Sequence, residues 1–161
     1  MVDLKALYQL QGFEDVTTYI QSGNVIFQST DIDKVGLRRV IEKSIEEKYG
    51  FFVPVDIRTA QEFKEILDNC PFEEADAVEN HTKVLVTFLA TIPSSQKQKS
   101  ILAHVKPPEK LVIQGSEVYL YCPNGYGKSK LSNTFIESKL GISATTRNWK
   151  SVKKLYELST P

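Results

Sequence analysis

The sequence has few of the residues that build disulfide frameworks and metal centres. Its 161 residues include only two cysteines and two histidines. The spacing of Cys70 and Cys122 suggests no disulfide framework and is typical of reduced thiols in a cytosol. No group of cysteine, histidine and aspartate residues has the spacing of a zinc site, so we predict no metal. The sequence also indicates no cofactor.

Long apolar runs and an excess of one charge are also missing. No stretch approaches the roughly 18 apolar residues of a membrane span, and the N-terminus has no signal-peptide pattern. Lysine plus arginine equals aspartate plus glutamate at 20 each, which argues against nonspecific binding of nucleic acid. We therefore expect a cytoplasmic protein that has no membrane partner and for which nucleic acid is an unfavoured partner.

One stretch in the second half of the chain combines a strand, a glycine loop and a helix start. Val118 to Tyr121 alternates like a strand, and Asn124-Gly125 has turn chemistry. Apolar residues at helical spacing predict a helix from Ser129 to Leu140, which Gly141 ends. A glycine loop that opens a helix offers an anion free N–H groups and the positive end of the helix dipole.

This loop contains Gly127-Lys128-Ser129, which resembles the end of the phosphate loop GxxxxGK[ST]. The match fails because Cys122 stands at the first glycine and Pro123 lacks a backbone N–H that the cradle needs. Two interpretations stay open: an ordinary turn before a polar helix start, and an anion site of another kind. The candidate contacts for the second interpretation are Asn124, Gly125, Gly127, Lys128, Ser129 and Lys130.

Two further polar motifs add candidate ligand contacts. Gln21 to Asn24 joins two predicted strands, and Arg147 to Trp149 ends a strand before a final helix. Their ordinary roles are a hairpin turn, a helix cap and a packed indole. If all three motifs converge, their amides, lysines, arginine and indole suit a phosphate attached to a planar ring. The added candidates are Ser22, Asn24, Arg147, Asn148 and Trp149, and we expect Lys128, Ser129 and Arg147 to share one anion.

The remaining pattern predicts an α+β protein with two ferredoxin-like halves, residues 1–72 and 81–161. The second half reads βαββαβ, the split-βαβ order, followed by a C-terminal helix. The first half reads αββαβ with a connecting helix, so it lacks its opening strand; its last strand is predicted at Phe51 to Ile57. The acidic segment Glu73 to Asn80 is predicted to connect the halves.

The missing strand would normally lie at the centre of the first sheet. Its absence leaves backbone groups without hydrogen-bond partners, which costs free energy when they are buried. Either the sequence begins late or another segment fills the place, and pairing of this open sheet predicts a homodimer. In the second half, Val84 to Leu89 is apolar apart from Thr87, which predicts a strand covered on both faces. The predicted core there is Val84, Val118, Leu120, Leu131 and Phe135.

Three stretches of this sequence together resemble an uncharacterised bacterial family. They are Tyr19 to Phe27, Tyr121 to Asn133 and Thr145 to Trp149, and the resemblance covers nearly the whole chain. The family consists of small hypothetical proteins and is known only as domain of unknown function number 1697. Its members typically open with a further strand and a glycine-rich loop, which this sequence lacks. The resemblance implies a two-part α+β fold and a cytoplasmic bacterial protein, and it implies no established reaction.

Two classes of function follow from the sequence. The first is a binding domain for a nucleotide-like or other anionic small molecule, and whether it is an enzyme stays open. Cys122 as a nucleophile would need a base, and neither His81 nor His104 stands in a recognisable pairing with it. The alternative is an RNA-binding or dimerising module without catalysis, since Tyr119 and Tyr121 share one face of a strand on which bases can stack.

Overall fold

The computed structural model describes residues 1–161, which form two compact units. The first unit comprises Met1–Ala60 with Leu155–Pro161, and the second comprises Gln61–Lys154. Each unit combines helices with antiparallel strands, so the α+β class is confirmed. That residues 1–72 and 81–161 are separate folding domains stays a prediction.

The first unit contains a two-stranded antiparallel hairpin and two complete helices. The bounds are α1 Val2–Leu10, β1 Glu14–Tyr19, β2 Asn24–Gln28 and α2 Lys34–Tyr49. Asp33 caps α2, because its carboxylate accepts the Val35 N–H at 3.1 Å, and Gly50 ends the helix in the left-handed conformation. The predicted hairpin is therefore confirmed, with a bulge near the start of β1 where Asp15 has a φ of 50°.

The apolar core of the first unit is formed by side chains from both helices, the hairpin and the segment after α2. Its buried residues are Leu7, Tyr8, Val16, Ile41 and Ile45. Partly buried side chains pack against them: Leu4, Phe13, Val25, Phe27, Val53, Val55 and Ile57. The hairpin is held by this core, since an isolated pair of strands is marginally stable.

The prediction of a strand from Phe51 to Ile57 is wrong. These residues form neither helix nor strand, and the only sheet of the first unit contains β1 and β2. Pro54 has no N–H to donate, and the Val55 N–H donates instead to the Glu42 carboxylate at 2.9 Å. The alternating apolar pattern is present, but no neighbouring strand pairs with it.

The second unit contains a four-stranded antiparallel sheet in the order β4-β5-β3-β6. Its helices and strands are α3 Ala60–Asp68, β3 Val84–Leu89, α4 Ser95–Leu102, β4 Lys110–Gln114, β5 Glu117–Tyr121, α5 Asn133–Leu140, β6 Ala144–Asn148 and α6 Trp149–Ser159. The first residue of α3 and the last five residues of α6, 155–159, belong to the first unit. The element order βαββαβ predicted for this part of the chain is confirmed.

The prediction that β3 is covered on both faces is also confirmed, because all six of its residues are buried. On one face, Leu85 and Leu89 pack with residues of α4 and α5 such as Ile101 and Ile136. On the other face, the side chains of β3 join those of α3 and α6. Of the predicted core residues, Val84, Val118, Leu120 and Leu131 are buried, and Phe135 is partly buried.

Two local predictions in the second unit are corrected. The helix predicted from Ser129 begins at Asn133, because Ser132 is the cap and its hydroxyl accepts the Phe135 N–H at 3.2 Å. The predicted connector consists of two short 3₁₀ helices, Glu73–Asp76 and Val78–Asn80, and Ala75 within it is buried in the core. Burial of Ala75 therefore fixes the position of a segment for which the sequence pattern predicts no regular structure.

None of the helices combines the length and the apolar character that crossing a membrane requires. No group of three or more His, Cys, Asp and Glu side chains is arranged to hold a metal ion.

Candidate functional site

The candidate loop leaves the sheet at the end of β5. The Cys122 N–H donates to the Lys83 carbonyl at 2.8 Å, which fixes the start of the loop beside the start of β3. The Gly125 N–H then donates to the Cys122 carbonyl at 3.0 Å and closes a turn. Gly125 has a φ of 98°, a conformation that an L side chain would strain. The predicted glycine turn therefore exists, and at this position it requires glycine.

A 3₁₀ helix, Tyr126–Lys128, follows this turn directly. The Lys128 N–H donates to the Gly125 carbonyl at 3.3 Å, and the Ser129 N–H donates to the Tyr126 carbonyl at 3.0 Å. The backbone N–H groups of Tyr126, Gly127 and Lys130 donate to no acceptor in the chain. The start of this short helix therefore keeps donors available for an external acceptor.

Most of the candidate side chains in the loop face solvent. Asn124, Lys128 and Lys130 are exposed, whereas Ser129 is half-buried and its hydroxyl accepts the Leu131 N–H at 3.0 Å. Lys128 ends the 3₁₀ helix and Lys130 follows it by two residues, so two exposed lysines share the loop with the unpaired N–H groups. The helix dipole that the sequence predicted at Ser129 is absent, because α5 begins four residues later.

The thiol beneath the loop is not an activated nucleophile. Cys122 is buried, and this burial raises the pKa of its thiol to about 12. The nearby Ser129 hydroxyl lowers that pKa, while the Glu109 carboxylate raises it. The thiol is therefore neutral at pH 7, and the thiolate needed for nucleophilic attack is scarce.

A partly buried polar cluster lies under the loop, and no motif in the sequence indicates it as a unit. The Thr146 hydroxyl donates to Asn133 Oδ1 at 2.8 Å and lies 2.7 Å from the Thr87 hydroxyl. Asn133 also donates to the Ala144 carbonyl at 3.0 Å. These bonds join α5 to β3 and β6. The one available signal was Thr87, the only polar residue in the apolar run of β3.

Tyr126 connects the loop to this polar cluster. Its hydroxyl is buried and forms no hydrogen bond of acceptable geometry. Burial raises the pKa of Tyr126, while the Thr146 hydroxyl and the backbone of Asn133 are near enough to lower it. The Tyr126 ring packs against the same core as Leu131, so the loop lies on the α4 and α5 side of the sheet.

Arg147 lies on the opposite face of the sheet from this loop. It pairs with Val86 across β3 and β6, and directly paired residues project to the same face. Val86 belongs to the core under α6, together with Trp149. Burial lowers the pKa of the Arg147 guanidinium, which donates to the Thr146 carbonyl at 2.9 Å. The structure therefore does not bring Arg147 to Lys128.

The other two residues of that motif have structural roles. Asn148 lies at the same edge of the sheet as the loop, and its side chain accepts the Ser151 N–H at 2.9 Å, as a helix cap does. Trp149 is buried in the core and offers no free indole face. The contacts therefore favour a helix-capping role for Asn148 and a packing role for Trp149.

Ser22 and Asn24 belong to the first unit, where they close the β1–β2 hairpin. The Asn24 amide donates to the Tyr19 carbonyl at 3.1 Å and to the Ser22 hydroxyl at 2.9 Å. A separate open cavity of about 390 Å³ lies in this unit, lined by residues 11–14 and 28–31 with Leu37 and Val40. No motif in the sequence indicates that cavity.

The predicted stacking face for RNA bases is covered. Tyr119 is buried, and its hydroxyl donates to the Ile66 carbonyl of α3 at 2.8 Å. Tyr121 lies beside Phe72, with ring centroids 6.3 Å apart. Bases cannot stack on Tyr119, because α3 covers it, and only the partly buried ring of Tyr121 remains of the predicted two-tyrosine face.

Comparison with known proteins gives a family and a fold. The family described as "Protein of unknown function (DUF1697)" matches residues 1–119, which is more than half of the chain, and the chain belongs to this family. No curated protein sequence matches it. Among solved structures, the chain is similar to conserved bacterial protein SP0830 from Streptococcus pneumoniae, with a TM-score of 0.73 and 20% identity. The match covers 99% of this chain and 88% of that one, and it shows the fold alone.

Proposed function

We propose that the protein binds a phosphate-bearing, nucleotide-like or other anionic small molecule at the Asn124–Lys130 loop. The observation that carries this proposal is the 3₁₀ helix after Gly125, where the N–H groups of Tyr126 and Gly127 have no acceptor in the chain. Consecutive N–H groups form an anion-binding concavity, and lysine ammonium groups add attraction for phosphate oxygens. Lys128 and Lys130 supply this charge from the same loop.

The proposed contact set is narrower than the one that the sequence suggested. It consists of Asn124, Gly125, Gly127, Lys128, Ser129 and Lys130, because the other candidates have structural partners or lie elsewhere. The proposal includes no reaction, since neither a nucleophile nor a base is assigned beside the loop. The free thiols of Cys70 and Cys122 support a reducing compartment, and we place the protein in a bacterial cytoplasm.

A thermal-shift panel of inorganic phosphate, nucleotides and sugar phosphates tests this proposal. A ligand at a hundred times its Kd adds about 2.7 kcal/mol to the free energy of unfolding, which raises Tm by a few degrees. Lys128→Ala and Lys130→Ala should each reduce that shift. Lys153→Ala, which removes an exposed ammonium group from α6, is the matched control and should retain it. A shift that all three variants retain, or no shift from any compound, would reject the proposal.

A second candidate function is self-association through the first unit, and exposed aromatic side chains favour it. Phe51 and Phe52 are each 59% exposed, and the Phe51 ring lies 6.2 Å from that of Tyr49. Adjacent exposed phenylalanines are typical of surfaces that a partner covers. Light scattering should then detect a homodimer that Phe51→Ser with Phe52→Ser converts to monomer. A monomer at all concentrations would remove this candidate.

We also propose that both units have a ferredoxin-like arrangement, and that the first unit lacks the opening strand of this arrangement. The second unit supports this by its βαββαβ order and its strand order β4-β5-β3-β6. In the first unit the order α1-β1-β2-α2 followed by an extended segment corresponds to α4-β4-β5-α5-β6. An experimental structure in which the strands of the first unit pair in an order other than the ferredoxin-like one would contradict this proposal.

A further inference from the structure

Strand β6 is one edge of the four-stranded sheet, and part of its backbone points away from that sheet. The Ala90 N–H donates to the Ser143 carbonyl at 3.0 Å, just before the first pair of the β3–β6 ladder. In an antiparallel pair, every second residue directs its N–H and C=O groups to the partner strand. Ser143 faces β3 in this way, so the backbone groups of Ala144 and Thr146 point outward.

Side chains bind three of these outward-facing groups. The Ala144 N–H donates to the Glu137 carboxylate at 2.8 Å, and the Ala144 carbonyl accepts a bond from the Asn133 amide at 3.0 Å. The Thr146 carbonyl accepts a bond from the Arg147 guanidinium at 2.9 Å. Asn133 and Glu137 are four residues apart in α5, which places both side chains on one face of the helix. Three groups that a further strand would need at this edge are therefore already occupied.

The opposite edge, β4, has no such bonds. The Leu89 N–H donates to the Ser116 carbonyl at 2.8 Å, so every second residue of β5 from Glu117 onward directs its backbone groups to β4. The outward-facing groups of β4 are those of Leu111 and Ile113, and no side chain or loop of the chain binds them. An open edge is compatible with this fold, so a complete sheet does not require the side-chain bonds at β6.

We propose that Asn133, Glu137 and Arg147 form an autoinhibitory cap that closes the β6 edge to strands of other copies of this chain. An exposed strand edge is a template for pairing with another chain, and a sheet that is open at both edges can add copies without limit. A sheet with one closed edge can pair only once, through its other edge. The cap therefore prevents open-ended assembly, and this inference does not depend on the anion-binding loop.

Glu137→Ala tests the cap, because it removes the acceptor of the Ala144 N–H. In dilute protein, the Ala144 amide should exchange about tenfold faster or more than in the wild type, since a hydrogen bond to a charged group is lost. As the protein concentration rises, light scattering should show assemblies that continue to grow. Exchange at Ala144 and Thr146 should slow again in these assemblies, because the freed edges pair. Asn133→Ala combined with Glu137→Ala should assemble at a lower concentration.

Two single variants are the controls. Glu137→Gln keeps an acceptor oxygen, and Glu46→Ala removes an exposed carboxylate from α2, so both should keep the size of the wild type. The proposal is overturned if folded Glu137→Ala also keeps that size, if its assemblies leave residues 144–146 unprotected, or if either control assembles equally. Unfolding of Glu137→Ala would show that the bond serves the fold itself, which contradicts a cap. If only the double variant unfolds, Glu137→Ala decides the result.

Discussion

The Thr87 and Thr146 side-chain oxygens lie 2.7 Å apart across the β3–β6 pair. Thr146 also donates to Asn133, so Thr146→Val removes a hydrogen-bond partner from buried Thr87 and from partly buried Asn133. We expect this change to lower the free energy of unfolding by about 1–3 kcal/mol. Thr87→Val keeps the Thr146–Asn133 bond and should cost less than about 1 kcal/mol. Urea denaturation of both variants measures the difference, and equal losses would contradict the assigned roles.

Two tyrosines with buried hydroxyl groups should respond differently to loss of the hydroxyl. Tyr126→Phe removes a buried hydroxyl that has no hydrogen bond of good geometry, so we expect unchanged or slightly increased stability. Tyr119→Phe removes a buried bond to the Ile66 carbonyl and should cost about 1–2 kcal/mol. Chemical denaturation compares the two variants. A larger loss for Tyr126→Phe would show that its hydroxyl is bound in solution.

Stability should fall in alkaline solution because of Cys122. Burial raises the pKa of its thiol from 9.0 to about 12, so the folded state holds this proton more tightly than the unfolded state. The resulting stabilisation is complete below pH 9 and is lost as pH rises toward 12. Between pH 9 and 10 we expect the wild type to lose about 1 kcal/mol more than Cys122→Ala. Parallel pH profiles for the two proteins would contradict this.

The Glu42 carboxylate should hold the segment after α2. It accepts the Val55 N–H at 2.9 Å, the one hydrogen bond from the backbone of residues 51–57. Glu42→Ala should speed exchange of the Val55 amide by roughly tenfold or more, because a bond to a charged group contributes about 1.5–3 kcal/mol. Glu42→Gln retains an acceptor oxygen and should have a smaller effect. Unchanged exchange in Glu42→Ala would show that this bond does not form in solution.

The sequence predicts the second unit better than the first for a physical reason. The apolar run of β3 predicts a strand covered on both faces, since only a central strand buries all its side chains. Residues 51–57 have an equally good strand pattern, but a strand also requires a neighbour distant in sequence. Local pattern contains no information on whether that neighbour is present.

The sequence predicts the glycine turn of the candidate site. It does not predict where α5 begins or to which face of the sheet Arg147 projects. Asn124-Gly125 indicated the turn, and the structure gives Gly125 a positive φ. Ser129 and Ser132 are equally good helix caps by residue type, so the start of α5 could not be chosen from sequence. The face to which Arg147 projects depends on its register with Val86, which is a long-range property of the sheet.

The proposed function requires the 3₁₀ helix after Gly125 to bind an anion through its unpaired N–H groups. Titration of ¹⁵N-labelled protein with inorganic phosphate, followed by nucleotides, measures this directly at the amides concerned. We expect saturable shifts of the Tyr126, Gly127 and Lys130 amides that Lys128→Ala weakens and that residues 24–28 do not share. Absence of saturable shifts at these three amides, or equal shifts beside every exposed lysine, would contradict the claim.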